Sequence, residues 1–397
     1  MKIKIIHVQS RICIGGPAVH TDILLAHMPH KKYTSLLIGG KVDSSESSKF
    51  EQFVEKGIDI RVLPFMKRDI SILDDFMSIF HLYKIFKNEN PKIVHTHTAK
   101  AGTIGRIAGK LAGVPVLIHT FHGHTFRGYF PDWKNKIFIH IEKCLTKMSS
   151  AIIAISSSQK YDLCQKYKIA PKEKVEIIPY GFELKKFQTI IKTDQLKTEF
   201  GLNKEMTLAA AIGRLVPIKN YSMALRVIHK LKKQNNPIYL VIVGDGEERN
   251  KLESLTKELE IEDHVFFYGW EQNIEKIYAG IDLMLLTSNN EGTPVTIIEA
   301  MASRVPVFAT RAGGVVDMIQ SGENGYLCDL DDADAMAKHI IKYLNNRNNH
   351  RIMLERAFSY STQTFSYRRM ISDMDSFYQK LIVARGNLTR KSQCVQS

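Results

Sequence analysis

No run of eighteen apolar residues occurs anywhere in the 397-residue chain, so a membrane-spanning helix is not expected. Cysteine is scarce and scattered: Cys13, Cys144, Cys164, Cys328 and Cys394 form no CxxC pair and share no metal-ligand spacing with a histidine. That pattern excludes a disulfide framework and a zinc ribbon. Acidic residues are outnumbered, 41 against 55 basic ones, and the imbalance is local. Residues 1–185 carry 28 Lys/Arg against 16 Asp/Glu, whereas the remainder carries 27 against 25. A one-sided basic half suits an anionic partner such as a membrane face, a phosphorylated acceptor or nucleic acid; the alternative is a solvated basic surface with no specific partner. The opening MKIKIIHVQS has too short an apolar stretch for a signal peptide and reads as a first strand. The expectation is a cytoplasmic protein, with peripheral attachment to the inner face of the cell membrane as its basic surface would permit.

The apolar share of 44% with 24% charged residues is that of a globular protein, and the length calls for two domains. Strand-like runs alternate with helical stretches throughout: KIKIIHV, YTSLLIGG, IDIRVLP, KIVHTHT, VPVLIHTFH, AIIAIS and VEIIPYG, then TLAAAIG, YLVIVGDG, VFFYG, IDLMLLTS, VPVFAT and GYLCDL. Such alternation predicts an α/β chain of two open parallel sheets with crossover helices. The boundaries are read as 1–185 for an N-terminal domain, 186–383 for a C-terminal domain with a terminal helix, and 384–397 for a disordered tail. The polar stretch from Glu183 to Lys204 is read as the hinge.

Ligands of open parallel sheets bind at the carboxyl ends of the strands, so the turns that follow strands carry the functional reading. After TLAAAI, Gly213-Arg214 precedes Lys219; the two cations can converge on one anion or stand as separate surface charges. Gly244-Asp245-Gly246 starts like a dinucleotide fingerprint but lacks its third glycine. Gly269-Trp270 places an indole beside a turn, where core packing is expected. After IDLMLLTS, Glu291 sits in a loop, Thr293 is an N-cap candidate and Pro294 suits the first helical position. The N–H groups of Val295 and Thr296 then point past the helix start, where a phosphate is favoured, and Glu299 comes about one and a half turns into the helix. Arg311 and Gly313-Gly314 follow at the same edge. Asp329 and Asp331 precede a helix and read as its cap. In the first half, Gly15-Gly16 permits close backbone approach to a ligand, and His122 follows a strand in HTFHGH. The segment after Pro131 reads as a helix with Trp133, Ile137, Ile141, Cys144 and Met148 on one side and Lys136, Lys143 and Lys147 on another, a membrane or acceptor surface if the lysines are not merely solvated.

Taken in order, Gly15-Gly16, KIVHTHTAKAG (92–102), HTFHGH (119–124), GRLVPIK (213–219), EGTPVTIIEAMA (291–302) and VPVFATRAGG resemble the retaining glycosyltransferases of family 4 over nearly the whole chain. The resemblance implies the GT-B fold, two Rossmann-like domains facing a central cleft, with the terminal helix returning towards the first. It implies a nucleotide-sugar donor, UDP-linked in preference to GDP-linked, and transfer of a hexose or N-acetylhexosamine to a glycan or a lipid-pyrophosphate-linked acceptor with retention of configuration. Arg214 and Lys219 match the family's diphosphate-binding pair. Glu291 matches the acid that contacts donor-sugar hydroxyls, and Glu299 the one that holds the ribose. His122 matches the first-domain histidine near the sugar, and Gly16 the glycine loop beside the diphosphate. Glu291, Arg214, Lys219 and His122 are therefore the expected catalytic set. Gly15, Gly16, Gly213, Gly244, Thr293, Pro294, Val295 and Glu299 complete the expected donor site with the first three of that set. No catalytic metal and no other cofactor are expected. Gly-Thr-Pro294 stands where many relatives have Gly-Phe-Gly, so sugar identity does not carry over. A nucleotide-sugar epimerase on the same fold is the rival enzyme reading. A nucleic-acid binder is the non-enzymatic one, and nucleic acid is not expected because no recognition motif for it is present.

Overall fold

The computed structural model describes residues 2–11, 16–40, 50–55, 57–67, 71–123, 131–346 and 350–394. The chain divides into two compact units, Met1–Phe182 with Tyr367–Ser397, and Glu183–Ser366. The first unit holds β1 (Ile3–Gln9), β2 (Tyr33–Gly40), β3 (Asp59–Leu63), β4 (Ile93–His97), β5 (Val116–Thr120), β6 (Ala151–Ala154) and β7 (Val175–Ile177) in the order β3-β2-β1-β4-β5-β6-β7. The second holds β8 (Leu208–Ile212), β9 (Tyr239–Val243), β10 (Val265–Gly269), β11 (Leu283–Leu286), β12 (Val307–Thr310) and β13 (Tyr326–Cys328) in the order β10-β9-β8-β11-β12-β13. Every pairing is parallel. Central strands covered by helices on both faces must be apolar throughout, and β4, β5, β9 and β11 are buried along nearly their whole length.

Strand order reverses between β1 and β4 in the first sheet and between β8 and β11 in the second. At these points the loops leaving adjacent strands diverge to opposite faces and open a crevice. The first reversal is strained: Thr98, directly after β4, has φ +68, which a β-branched residue rarely adopts. Its hydroxyl meets Ser10 Oγ at 2.5 Å, and Ser10 Oγ in turn accepts the Ala101 N–H, so the loops after β1 and β4 are locked together.

Three sequence readings meet a different structure. The segment read as a hinge is packed on the second unit: it forms helices Lys185–Gln188 and Gln195–Glu199, with Phe187 and Leu196 buried. Its lysines made it look solvated, yet Lys192 donates to the carbonyls of Tyr278 and Ile281, and Lys197 pairs with Asp282 at 2.9 Å. The terminal helix, assigned above to the second domain, belongs to the first unit. Met370, Met374, Phe377 and Tyr378 are buried there, Tyr33 donates to Asp375 at 2.6 Å, and Arg369 donates to the carbonyls of Pro179 and Tyr180. That helix runs from Tyr367 to Cys394 and so continues through most of the stretch read as a disordered tail. A stem fixed by packing spares the later turns the cost of nucleation. Finally, Asp332 rather than Asp329 or Asp331 caps the Ala333–Asn345 helix, by accepting the Ala335 N–H; Asp331 pairs with Arg226 and Asp329 with Arg311.

The second sheet also depends on a close backbone approach. Gly244, after β9, has φ +130, and a Cβ there would lie 2.1 Å from the Gly213 carbonyl oxygen. Gly244→Ala should therefore cost about 1–3 kcal/mol. The melting temperature should fall by roughly 2–4 °C per kcal/mol. An unchanged melt would mean that the two turns are not held in this register.

Candidate active site

The turn after β8 starts at Gly213, whose φ of +143 turns the chain out of the sheet. Arg214 follows, exposed and without an ion pair among the described residues. A single turn of 3-10 helix, Pro217–Lys219, then ends on Asn220, whose left-handed φ of +47 redirects the chain into the Tyr221–Lys233 helix. This turn is stitched across the strand reversal to the loop after β11: Asn289 N–H donates to the Ile218 carbonyl at 2.8 Å, and the Thr287 hydroxyl to that of Lys219. The stitch places Lys219 Nζ 2.6 Å from Glu291 Oε1, and Ser288 Oγ donates to the same oxygen at 2.6 Å. Among the described residues, Oε2 of Glu291 takes no hydrogen bond.

The helix beyond Glu291 spans Val295–Ala302, with Pro294 as its N-cap residue at φ −69, ψ 113. Thr293 does not cap it, and no side chain does. Proline has no N–H to satisfy, and the N–H groups of Val295 and Thr296 precede every acceptor the helix itself can offer. The helix start is thus an uncapped set of donors beside the Lys219–Glu291 pair. Farther in, Glu299 is paired with no cation among the described residues. The Tyr278 hydroxyl, from the Ile274–Gly280 helix, lies 3.0 Å from its Oε2. Burial pushes the Glu299 carboxyl up to about 7, while the Tyr278 hydroxyl and Lys186 pull it down and Glu275 pushes it further up. One E-x7-E element therefore holds an ion-paired acid and one whose carboxyl burial pushes up to about 7.

In the first unit, His7, His95, His97 and His122 gather on one side of β1, β4 and β5, with His20 from the Gly16–His27 helix against them. A continuous hydrogen-bonded chain runs His7 Nδ1 to His97 Nε2 at 3.2 Å, His97 Nδ1 to His122 Nε2 at 3.0 Å, and His122 Nδ1 to the Tyr180 hydroxyl at 2.8 Å. Because that hydroxyl also donates to the His122 carbonyl, one tautomer set satisfies the chain, with every ring carrying its proton on Nδ1. Burial holds all these rings neutral, His7 and His122 at about 3. His122 thus has both nitrogens engaged, and its ring is a positioned group rather than a free acid or base.

The structure brings Gly213, Lys219, Gly244, Glu291, Thr293, Pro294, Val295 and Glu299 to the carboxyl edge of the second sheet, with Arg214 at its exposed margin. Gly16 is the first residue of the Gly16–His27 helix, and Gly15 lies outside the described residues. Lys136 and Lys147 are exposed and Lys143 is half-buried. Trp270 is 66% exposed, not packed in the core as expected, because the β10 edge strand turns out at Gly269. Sequence reasoning missed Ser288 and Tyr278, which position the two acids, and the histidine chain. The H-x-H of β4 was its visible trace.

Residues 14–186 match the model of glycosyltransferase family 4, and residues 192–360 that of the glycosyl transferases group 1; together they span most of the chain. The chain belongs to glycosyltransferase family 4. This glycosyltransferase is 29% identical, over 87% of its length and 89% of the relative's, to the UDP-Gal:alpha-D-GlcNAc-diphosphoundecaprenol alpha-1,3-galactosyltransferase of Escherichia coli. It is also 29% identical to the N-acetyl-alpha-D-glucosaminyl L-malate synthase of Bacillus anthracis, over 75% of this chain and 77% of that one. Its fold is similar to that of HepE from Anabaena, crystallised with UDP: the TM-score is 0.81 at 19% identity, covering 95% of this glycosyltransferase and all of HepE. The fold is therefore GT-B, and neither the epimerase nor the nucleic-acid-binding reading is favoured by these relatives.

The raised pKa of Glu299 sets a pH test. Between the ordinary carboxyl value and about 7 the folded protein keeps a proton that the unfolded chain has lost, so this group's stabilisation falls as pH rises through that window. Glu299→Gln should melt higher than the parent at pH 8, by roughly 2–4 °C per kcal/mol relieved, with the gain shrinking towards pH 5. A pH-independent difference in melting temperature would refute the assignment.

Proposed function

We propose that the chain transfers a hexosyl or N-acetylhexosaminyl group from a UDP-sugar to a lipid-linked diphosphate glycan acceptor, with retention at the anomeric carbon, in the assembly of a surface polysaccharide. The observation that carries the donor side is the meeting of Lys219, Glu291 and the uncapped Val295 helix start at the β8/β11 reversal. Lys219, Arg214 and the N–H groups of Val295 and Thr296 suit a diphosphate, the second oxygen of Glu291 suits a sugar hydroxyl, and the Glu299 carboxyl suits the ribose. The acceptor reading leans on the Escherichia coli relative, whose name specifies a diphosphoundecaprenol-linked sugar as its acceptor.

Chemically, the bond between the anomeric carbon and the diphosphate oxygen breaks while the acceptor hydroxyl oxygen bonds to that carbon from the same face. The departing diphosphate takes up the hydroxyl proton. Charge grows on the leaving oxygen as the bond lengthens, and fixed donors aimed at it lower the barrier without reorganising. Glu291 serves two tasks in this scheme. Its Oε1 orients the Lys219 ammonium towards the phosphate, and its Oε2 accepts from the sugar. His122, neutral and bonded at both ring nitrogens, is not free to transfer a proton. Residues at hand supply the charge stabilisation, and the proposed reaction uses no metal.

Incubating the protein with a set of nucleotide sugars and a lipid-diphosphate sugar acceptor should release UDP only when the acceptor is present, and the new linkage should keep the donor's anomeric configuration by NMR. Lys219→Met and Glu291→Ala should each lose about 10²–10³ in kcat. UDP release without acceptor, or unchanged turnover in Glu291→Ala, would overturn the reading.

A further inference from the structure

Three helices of the first unit, Ile72–Glu89, Ala99–Ala112 and Asp132–Met148, follow β3, β4 and β5 and pack side by side. Right-handed crossovers place them on one face of the sheet, each starting at the carboxyl edge of the strands. The outer two expose apolar side chains where a helix of this kind turns polar residues to water. On the first, Ile72 is 85% exposed, Leu73 80% and Phe76 67%, with Phe80 one turn on. On the third, Trp133 is 61% and Ile137 50% exposed, with Ile141 continuing the i, i+4 stripe. Both stripes occupy the N-terminal halves of their helices, so they lie towards the ligand-bearing edge of the sheet.

Charge identifies the partner. Every acid with a described side chain on these two helices is neutralised within the unit: Asp74 by Lys67, Asp75 by Lys100, Glu89 by Lys4 and Arg61, and Glu142 by the buried Arg106. Lys84, Lys87, Lys134, Lys136 and Lys147 have no carboxylate partner among the described residues, and Lys84 and Lys134 border the stripes. Lys84 lies over the Phe80 ring and Lys134 over that of Trp133, so their stems flank apolar surface while their ammonium groups reach outward. Exposed aromatic and aliphatic stripes fringed by unpaired cations suit the headgroup region of an anionic bilayer, and suit neither a polar ligand nor an apolar protein groove.

We propose that these two helices dock the protein on an anionic lipid bilayer by shallow insertion of Phe76, Phe80, Trp133 and Ile137, with the unpaired lysines contacting lipid phosphates. Docking through this rim brings the carboxyl edge of the first sheet to the surface from which a lipid-linked acceptor projects. The inference extends the acceptor reading above and is tested apart from it.

The chain has two tryptophans, so Trp270→Phe leaves Trp133 as the lone indole reporter in the full-length protein. Vesicles containing phosphatidylglycerol should blue-shift its emission and, when brominated, quench it, whereas pure phosphatidylcholine vesicles should do so weakly. Phe76→Asp with Ile137→Asp should weaken co-sedimentation at least about tenfold. Lys134→Gln, Lys136→Gln and Lys147→Gln together should weaken it roughly 10- to 100-fold at low salt. Both sets of variants should keep the parent's turnover on a short-chain, water-soluble diphosphate acceptor and lose it on the same acceptor embedded in vesicles. Unshifted Trp133 emission with phosphatidylglycerol vesicles, or equal binding to neutral ones, would overturn the proposal. So would a stable dimer in sedimentation that Phe76→Asp converts to monomer, since the stripes would then be an interface between copies. Failure of the parent to release UDP with the soluble acceptor would instead count against the transferase reading and leave the vesicle result standing.

Discussion

The placement of Glu291 depends on how little room its own backbone has. A Cβ at Gly313 would sit 2.2 Å from the Glu291 carbonyl oxygen, and one at Gly314 would sit 1.8 Å from that of Gly292. The absence of side chains there lets the turn after β12 press against the loop after β11, and the Gly314 N–H closes the contact by donating to the Glu291 carbonyl at 2.9 Å. Thr310 adds a second tie, its hydroxyl donating to the Ser288 carbonyl at 2.6 Å. With its main chain clamped from β12 and its side chain met by Lys219 from the turn after β8, the carboxylate is fixed by three strand ends. The free helix start that follows inherits the same fixed origin.

Within that frame the two acids of one short element meet different surroundings. Glu291 meets an ammonium and a hydroxyl on a single oxygen. Glu299 faces a tyrosine hydroxyl in a buried setting with no ion-paired cation, which favours the proton. In the proposed donor site, a ligand hydroxyl that donates to Glu299 would compete with that proton, whereas the Glu291 carboxylate is already held by Lys219 and Ser288.

Most of the architecture was legible because parallel strands buried on both faces leave unbroken apolar runs: each of the thirteen runs carries a strand. The positions of Arg214, Lys219, Glu291 and Glu299 after β8 and β11 could be read because strand-end turns are local, whereas their pairing as a donor site was what the family resemblance implied. What escaped was non-local. Tyr278 reaches Glu299 from a different helix, and Ser288 looked like an ordinary loop residue. The histidine chain joins positions 7, 97 and 122 with Tyr180, residues that only the strand order brings together. The lysines of 183–204 read as solvent-facing because composition does not reveal that their ammonium groups satisfy buried carbonyls. The terminal helix was placed by its position in the chain, and its hydrogen-bond partners Tyr180, Pro179 and Tyr33 lie 189, 190 and 342 residues earlier.

The lopsided charge of the chain takes on meaning once ion pairs are assigned. In the second unit cations and acids answer one another along neighbouring helices and turns, as in Arg226 with Asp331, Lys230 with Asp334 and Lys232 with Asp263. Surface pairs of this kind contribute little stability, but they cancel the field at a distance. On the helices after β3 and β5 of the first unit, acids are used up on internal partners and lysines are left over beside exposed apolar side chains. Had the excess been spread evenly, its field would be weak everywhere. In the docking proposed above, Lys84 and Lys134 would add to the apolar stripes instead of diluting them, because a lysine stem covers apolar surface while its ammonium would reach the wet, anionic layer. Removing the apolar residues would leave a surface whose attraction vanishes in salt; removing the lysines would leave one that does not distinguish a membrane from any other apolar surface.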